Sequence, residues 1–225
     1  MITFTNAEVT ELRLERAIPP TADVTEGRWK HFFKRFFDLF IASVVTVFVL
    51  SWMIPITGFL VRTGSPGPIL FVQYRTGAKG RPFRCLKFRT MNYERNAAFR
   101  QATQNDSRVT RFGRFLRRTN LDEMPQFLNV LMGHMSVVGP RPHPLPLDAS
   151  YWYVLPRYSE RYSVKPGITG LAQARGARGL TDDVMRMRHR LRYDLFYIQN
   201  YRFGQDLIIC WWTILKMIKG DKSAW

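Results

Sequence analysis

The sequence predicts an α+β, mostly helical fold. A kinked, re-entrant membrane helix comes first, followed by a compact cytoplasmic domain with a small β-hairpin and amphipathic interfacial helices. Three observations predict it. No residue between Asp38 and Arg62 is charged. Two short runs, Ile69 to Arg75 and Pro82 to Arg89, flank Gly77-Ala78-Lys79-Gly80 as strands flank a hairpin loop. From Arg108 to Arg118, arginines alternate with Val109, Phe112, Phe115 and Leu116, the pattern of a helix with one basic face.

In chain order, residues 1–28 read as a loosely ordered tail. They mix polar and charged residues, are interrupted by Pro19-Pro20, and lack the apolar stretch of a secretory signal. Residues 29–63 hold the membrane-inserted helix and 64–225 the compact domain. The apolar run Leu39 to Val61 is 23 residues long. As a helix it extends about 34 Å, enough for a hydrocarbon core of about 30 Å. Lys30, Lys34 and Arg35 precede it, and Arg62, Arg75, Lys79 and Arg81 follow it. A spanning helix concentrates its cations on the cytoplasmic side. Two basic flanks, with Pro55, Thr57 and Gly58 breaking the run, predict a helix that bends and returns, a plain spanning helix being the alternative. Near the C-terminus, Leu207 to Leu215 with Trp211 and Trp212 predicts a second interfacial helix.

Lys and Arg outnumber Asp and Glu by 34 to 17, a net charge of +17. Such an excess selects phosphate-bearing partners: nucleic acid, anionic lipid or a phosphorylated substrate. No helix-turn-helix or finger pattern accompanies it, and the uncharged run argues for lipid over nucleic acid. Cys85 and Cys210 stand far apart, as free thiols in a reducing compartment do. His31, His134, His143 and His189 form no metal pair at helical spacing.

Against this charge, Asp122 and Glu123 are conspicuous. They follow Arg108, Arg111, Arg114, Arg117 and Arg118, and precede the helical pattern Phe127 to Met132. Nearby cations and a helix N-terminus both favour ionised carboxylates. An ionised carboxylate among phosphate-binding groups suits an enzyme that forms an acyl-phosphate. Two acids capping a helix is the plainer reading. Phosphate-gripping candidates lie elsewhere. Lys87 and Arg89 alternate around Phe88, which predicts one shared strand face. Gly139-Pro140-Arg141-Pro142 presents a guanidinium between two prolines. Lys165-Pro166-Gly167-Ile168-Thr169-Gly170 is a glycine loop whose amides could approach a ligand, leading to Gln173, Arg175, Gly176, Arg178 and Gly179. No Walker A or dinucleotide fingerprint is present.

The order of these motifs resembles the bacterial sugar transferase family, the monotopic phosphoglycosyl transferases that act on polyprenyl phosphate. The resemblance runs from about Lys34 to Gly220. It rests on Lys34 to Asp38, Ser65 to Pro68, Lys87 to Met91, Arg111 to Gln126, Asn129 to Leu131, Met135 to Pro142 and Lys165 to Gln173. It implies transfer of a sugar 1-phosphate from a UDP-sugar to undecaprenyl phosphate with release of UMP. That reaction initiates exopolysaccharide, capsule or O-antigen synthesis. It also implies Asp122 as nucleophile, Glu123 as its dyad partner, Mg²⁺ held at Asp122 and Glu123, and Arg141 on phosphate. Lys87, Arg89, Arg118 and Gln173 are second-rank phosphate or nucleotide contacts. The membrane helix is re-entrant in the family and the enzyme belongs to the bacterial inner membrane, with its catalytic domain cytoplasmic. Its implied partners are the UDP-sugar, the polyprenyl phosphate and an anionic bilayer, with a second copy or downstream glycosyltransferases left open.

Departures from the family pattern occur at Ser51-Trp52, where the family has Ser-Pro, and at His134, Leu171 and Arg175. They bear on sugar choice and on the helix break, not on the reaction class. A non-catalytic membrane scaffold is the competing function, and the intact Asp122-Glu123 pair opposes it.

Overall fold

A computed structural model of the protein describes residues 28–93, 102–103, 106–177, 179 and 183–219. The tail before residue 28 and Arg178 lie outside the described residues. The fold is mostly helical with a small two-stranded antiparallel sheet. Helix α1 (Arg28–Val45), a π-helical turn (Thr46–Leu50) and α2 (Ser51–Gly64) follow one another without interruption. From His31 to Gly64 they make one helix long and apolar enough to cross a membrane. Its large side chains face outward: Phe40, Val47, Trp52 and Phe59 are exposed, and Phe48 is 71% exposed. So large an exposed apolar surface marks a site of interaction with a membrane or another protein.

The irregular turn in this helix does not lie at Pro55, where the sequence predicts the break. Pro55 sits inside α2, and the irregular turn lies upstream at Thr46–Leu50. There the Ser51 amide reaches back to the Thr46 carbonyl, one residue further than an α-helix requires. A proline ring collides with the carbonyl four residues before it, here that of Ser51. A wide turn just ahead of that point makes room for the ring. Gly58 also serves packing. A Cβ there would stand 2.9 Å from the Ile69 side chain, so the glycine lets the helix approach the entry to the sheet.

Strands β1 (Leu70–Thr76) and β2 (Pro82–Phe88) pair antiparallel, with Leu70 opposite Phe88 and Thr76 opposite Pro82. The hairpin is where the sequence predicts it. Helix α3 (Arg111–Arg118) begins at Thr110, whose hydroxyl accepts from the Gly113 amide at 2.9 Å. It is shorter than the alternating run, which enters it only at Arg111. Helix α4 (Gln126–Leu131) leads to β3 (Ser136–Val138). Helix α5 (Leu145–Tyr151), β4 (Gly167–Thr169), the short α6 (Leu171–Ala174), α7 (Val184–Gln199) and α8 (Phe203–Lys219) complete the chain. β3 and β4 pair in parallel. Helix α8 leaves Leu207, Ile208, Trp211 and Ile214 exposed along one side.

One apolar cluster joins Val130, Met135, Val138, Tyr197 and Ile209. A second packs Leu145, Trp152, Tyr158 and Tyr162 on Met187 and Leu191 of α7. A third brings Leu50, Met53 and Val61 of the long apolar helix onto Phe88 and Leu116. Polar ties reinforce this docking at both ends of the helix. Near its start, Lys34 pairs with buried Asp206 at 2.7 Å, and Asp38 accepts from the Val137 amide at 2.8 Å. At its end, Arg89 donates to the carbonyls of Ser65 and Pro66 at 2.5 and 2.7 Å.

Candidate active site

Helix α3 ends at Asn120, whose left-handed backbone (φ +57°) reverses the chain. The next residues, Leu121–Glu123, form a 3₁₀ turn packed on β2. The acids therefore stand one turn ahead of α4 and do not cap it. The positive helix end expected beside them gives way to three cations from other elements. Lys87 of β2 donates to Glu123 Oε1 at 2.5 Å and lies 3.9 Å from Asp122 Oδ2. Arg141, from the loop after β3, grips both Glu123 oxygens in a fork, Nη1 on Oε2 at 2.9 Å and Nη2 on Oε1. Arg117 of α3 is fixed by its Nε on Thr90 Oγ1 at 2.8 Å, with Asp122 the strongest opposite charge acting on it.

The two acids differ in consequence. Burial would raise the Glu123 carboxyl, but the charges of Arg141 and Lys87 and their hydrogen bonds hold it well below the usual range. It is an anion with every oxygen engaged. Burial pushes the Asp122 carboxyl up, Lys87 offsets part of this, and the neighbouring Glu123 charge adds to it. No described side chain donates a hydrogen bond to Asp122, although it is only 8% exposed. Among the described residues nothing engages its lone pairs by hydrogen bond.

Among the other sequence candidates, Arg118 is exposed and stands apart from the acids. Its neighbour Arg117 takes the place beside them. The sequence held one sign of this, because Gly113 lies four residues earlier on the same helical face. A Cβ at Gly113 would overlap the Thr90 carbonyl at 2.0 Å. That close approach brings Arg117 to Thr90. Arg89 does not share a face with Lys87. It lies just beyond β2, is buried, and spends its guanidinium on the carbonyls at the exit of the membrane helix. Gln173 of α6 is also buried and donates to the Ile168 carbonyl at 3.0 Å. The glycines of the 167–170 loop serve backbone packing. A Cβ on Gly167 would meet the Gly139 nitrogen at 2.1 Å, and one on Gly170 the Gly139 oxygen at 2.2 Å.

Behind Arg141 lies a buried polar cluster that no local motif announces. It contains His143, Asp148, Tyr158, Arg161, Tyr162, Arg190 and Asp194. Burial and the adjacent Arg161 charge hold the His143 imidazole well below its ordinary range, so it is neutral.

The model of the family described as bacterial sugar transferase matches residues 29–220. The chain belongs to this family. It is 45% identical over 185 residues to a UDP-glucose:undecaprenyl-phosphate glucose-1-phosphate transferase of Klebsiella pneumoniae, covering 82% of this chain and 40% of that protein. It is 41% identical over 195 residues to the exopolysaccharide production protein PSS of Rhizobium leguminosarum bv. phaseoli, covering 84% of this chain and 97% of that one. A UDP-N-acetylgalactosamine-undecaprenyl-phosphate N-acetylgalactosaminephosphotransferase of Aeromonas hydrophila is 38% identical over 191 residues, 84% of this chain and 44% of its own length. The chain thus spans about two fifths of the longer sugar transferases and nearly the whole of a short one.

Proposed function

We propose that this sugar transferase moves a sugar 1-phosphate from a UDP-sugar to undecaprenyl phosphate, through a covalent intermediate on Asp122. One observation carries the reading: the two acids divide the work. Glu123 anchors Lys87 and Arg141, while Asp122 keeps its oxygens unengaged beside the same cations. A nucleophile needs available lone pairs, and the groups that stabilise charge need to be set in place beforehand.

In the first step an Asp122 oxygen bonds to the sugar-bearing phosphorus. The bond from that phosphorus to the bridging oxygen breaks, and the electron pair leaves with UMP. Arg141, Lys87 and Arg117 surround the position where phosphoryl charge accumulates. In the second step an oxygen of the lipid phosphate bonds to the same phosphorus and the Asp122 carboxylate leaves. The products are polyprenyl-diphosphate-sugar and the original acid.

Mg²⁺ is part of this proposal. The donor set fits its habit of taking one or two carboxylates and completing its shell with substrate phosphates and water. Asp122 offers free oxygens, and Glu123 would offer one by releasing a cation. The ion would supply neutralising charge to the diphosphate.

The setting agrees with a lipid acceptor. Both ends of the membrane helix are tied to the same polar domain, through Lys34, Arg35 and Asp38 at one end and Arg89 at the other. This supports a re-entrant helix with both flanks on the cytoplasmic face of the inner membrane. The deciding assay offers a panel of UDP-hexoses and UDP-N-acetylhexosamines with undecaprenyl phosphate and follows UMP. Release with one donor, with a phosphosugar adduct on the Asp122 peptide by mass spectrometry, is the expected result. Turnover without an adduct, in an Asp122→Asn variant that remains active, would end the proposal.

A further inference from the structure

The segment that carries Arg141 is held almost entirely by its carbonyls. That of Pro140 accepts from the Gly167 amide at 2.9 Å, and that of His143 from the Thr76 amide at 3.2 Å. The Pro142 carbonyl accepts from Arg75 Nη1 at 2.8 Å, and the Arg141 carbonyl from Arg161 Nη2 at 2.9 Å. Two of these residues are prolines with no N–H to give, so the carbonyls are the handles that remain.

Arg161 differs from the other donors. It is 1% exposed, and a charge is costly to bury unless it is fully paired. The same Nη2 that holds the Arg141 carbonyl also donates to Asp194 Oδ2 at 2.7 Å. Its Nη1 reaches His143 Nδ1 at 2.5 Å, so it grips the Arg141 segment a second time, two residues on. The rings of Tyr158 and Tyr162 lie 5.3 and 5.4 Å from the guanidinium carbon, and both hydroxyls donate to Asp148. A carbonyl that only needed a partner could have taken a backbone amide, as those of Pro140 and His143 do. A buried, charge-anchored guanidinium instead fixes the carbonyl in both distance and direction.

We propose that Arg161, anchored by Asp194, is a positioning residue that sets the Arg141 backbone so that the Arg141 guanidinium stands ready for the phosphoryl group. This rests on the phosphotransfer reading above. Small errors in placing such a group are expensive: a shift of about 1 Å can cost about a hundredfold in rate.

The test is a double-mutant cycle on the full chain in detergent or nanodiscs. Arg161→Lys and the nearly isosteric Asp194→Asn are each combined with Arg141→Ala. UMP release gives kcat and KM, calorimetric titration with UDP gives affinity, and a thermal midpoint is measured for every variant. Arg161→Lys should lower kcat about 10- to 100-fold and weaken UDP binding while Arg141 is present. In the Arg141→Ala background it should change either by less than about twofold, because residues that act through one another are not additive. Asp194→Asn should repeat the pattern more weakly. Equal losses in both backgrounds, or losses that follow the thermal midpoint alone, would overturn the proposal. If the wild type releases no UMP from any donor yet binds UDP, the catalytic reading fails and the affinity cycle still decides the role of Arg161.

Discussion

Asp122 and Glu123 are adjacent and both largely buried, and their carboxyl pKa values are shifted in opposite directions. For Glu123 the folded pKa is depressed, so its ion pairs contribute stability above the ordinary glutamate range, lost as pH falls through the folded value. Glu123→Gln should therefore destabilise the protein at neutral pH by about 2–4 kcal/mol, because Lys87 and Arg141 lose the carboxylate that both hydrogen-bond and keep only Asp122, 3.9 Å from Lys87, as a nearby acid. For Asp122 the folded pKa is raised, first by burial. Stability from that group is fully present below the ordinary aspartate range and is lost as pH rises through the raised value. Asp122→Asn should lower kcat by at least about 1,000-fold while raising stability at pH 7 by about 1 kcal/mol. The stability gap between Asp122→Asn and wild type should close on acidification, which chemical unfolding at a series of pH values will show. At the next rank, Arg117→Ala should cost about 100-fold in kcat and Arg118→Ala less than about twofold. Parallel UMP-release kinetics on these two neighbours compare a cation beside Asp122 with one exposed to solvent.

At the scale of elements, legibility followed periodicity and range. The β1–β2 hairpin could be read because its strands are local and its turn carries glycine at both ends. The long apolar helix could be read because 23 uncharged residues in a row leave few alternatives to a helix. Its irregular turn was misplaced because Pro55 marks where a hydrogen bond is lost, while the backbone absorbs the collision upstream. The parallel pair β3 and β4 is three residues a side, too short to show a period of two. Helix α7 hid its inward face, since Arg190 and Asp194 are buried there with Met187 and Leu191. Charged residues on a core-facing stripe cancel the pattern that would reveal it. The site was half legible for the same reason. Lys87, Asp122, Glu123 and Arg141 belong to local motifs, whereas Arg161, Asp148 and Asp194 meet only through tertiary packing. The glycines of the 167–170 loop admit the Gly139 backbone, a close approach that their spacing did not reveal. Gly170→Ala should destabilise the fold by at least about 2 kcal/mol, since its Cβ would lie 2.2 Å from a carbonyl oxygen that cannot move freely. Denaturant unfolding with an unchanged UDP affinity per folded molecule would separate this role from ligand binding.

At the scale of the whole molecule, the long apolar helix is part of the same core as the site. Its inner face supplies Leu50, Met53 and Val61 to the cluster that holds Phe88, next to Lys87. From His31 to Gly64 the helix has 34 residues, about 51 Å if it were straight. A straight helix of that length crossing a bilayer would put its two ends on opposite faces. Here both ends are bound to the domain that carries Asp122: Lys34 through Asp206, Arg35 through the carbonyls of Val130 and Leu131, and Ser65 through Arg89. Transmembrane placement would require one of these sets of contacts to break, including a buried ion pair that leaves Asp206 uncompensated. Both ends should therefore lie on the same side as the domain that carries Asp122, which the proposed function places in the cytoplasm. Single cysteines at the exposed positions His31→Cys and Arg62→Cys, with Cys210→Ser in each and buried Cys85 retained, make this measurable. A membrane-impermeant maleimide should label both in inside-out vesicles and neither in intact spheroplasts. Labelling of the two positions from opposite sides would refute a re-entrant helix and would require the docking of the helix on Phe88 and Arg89 to be abandoned with it.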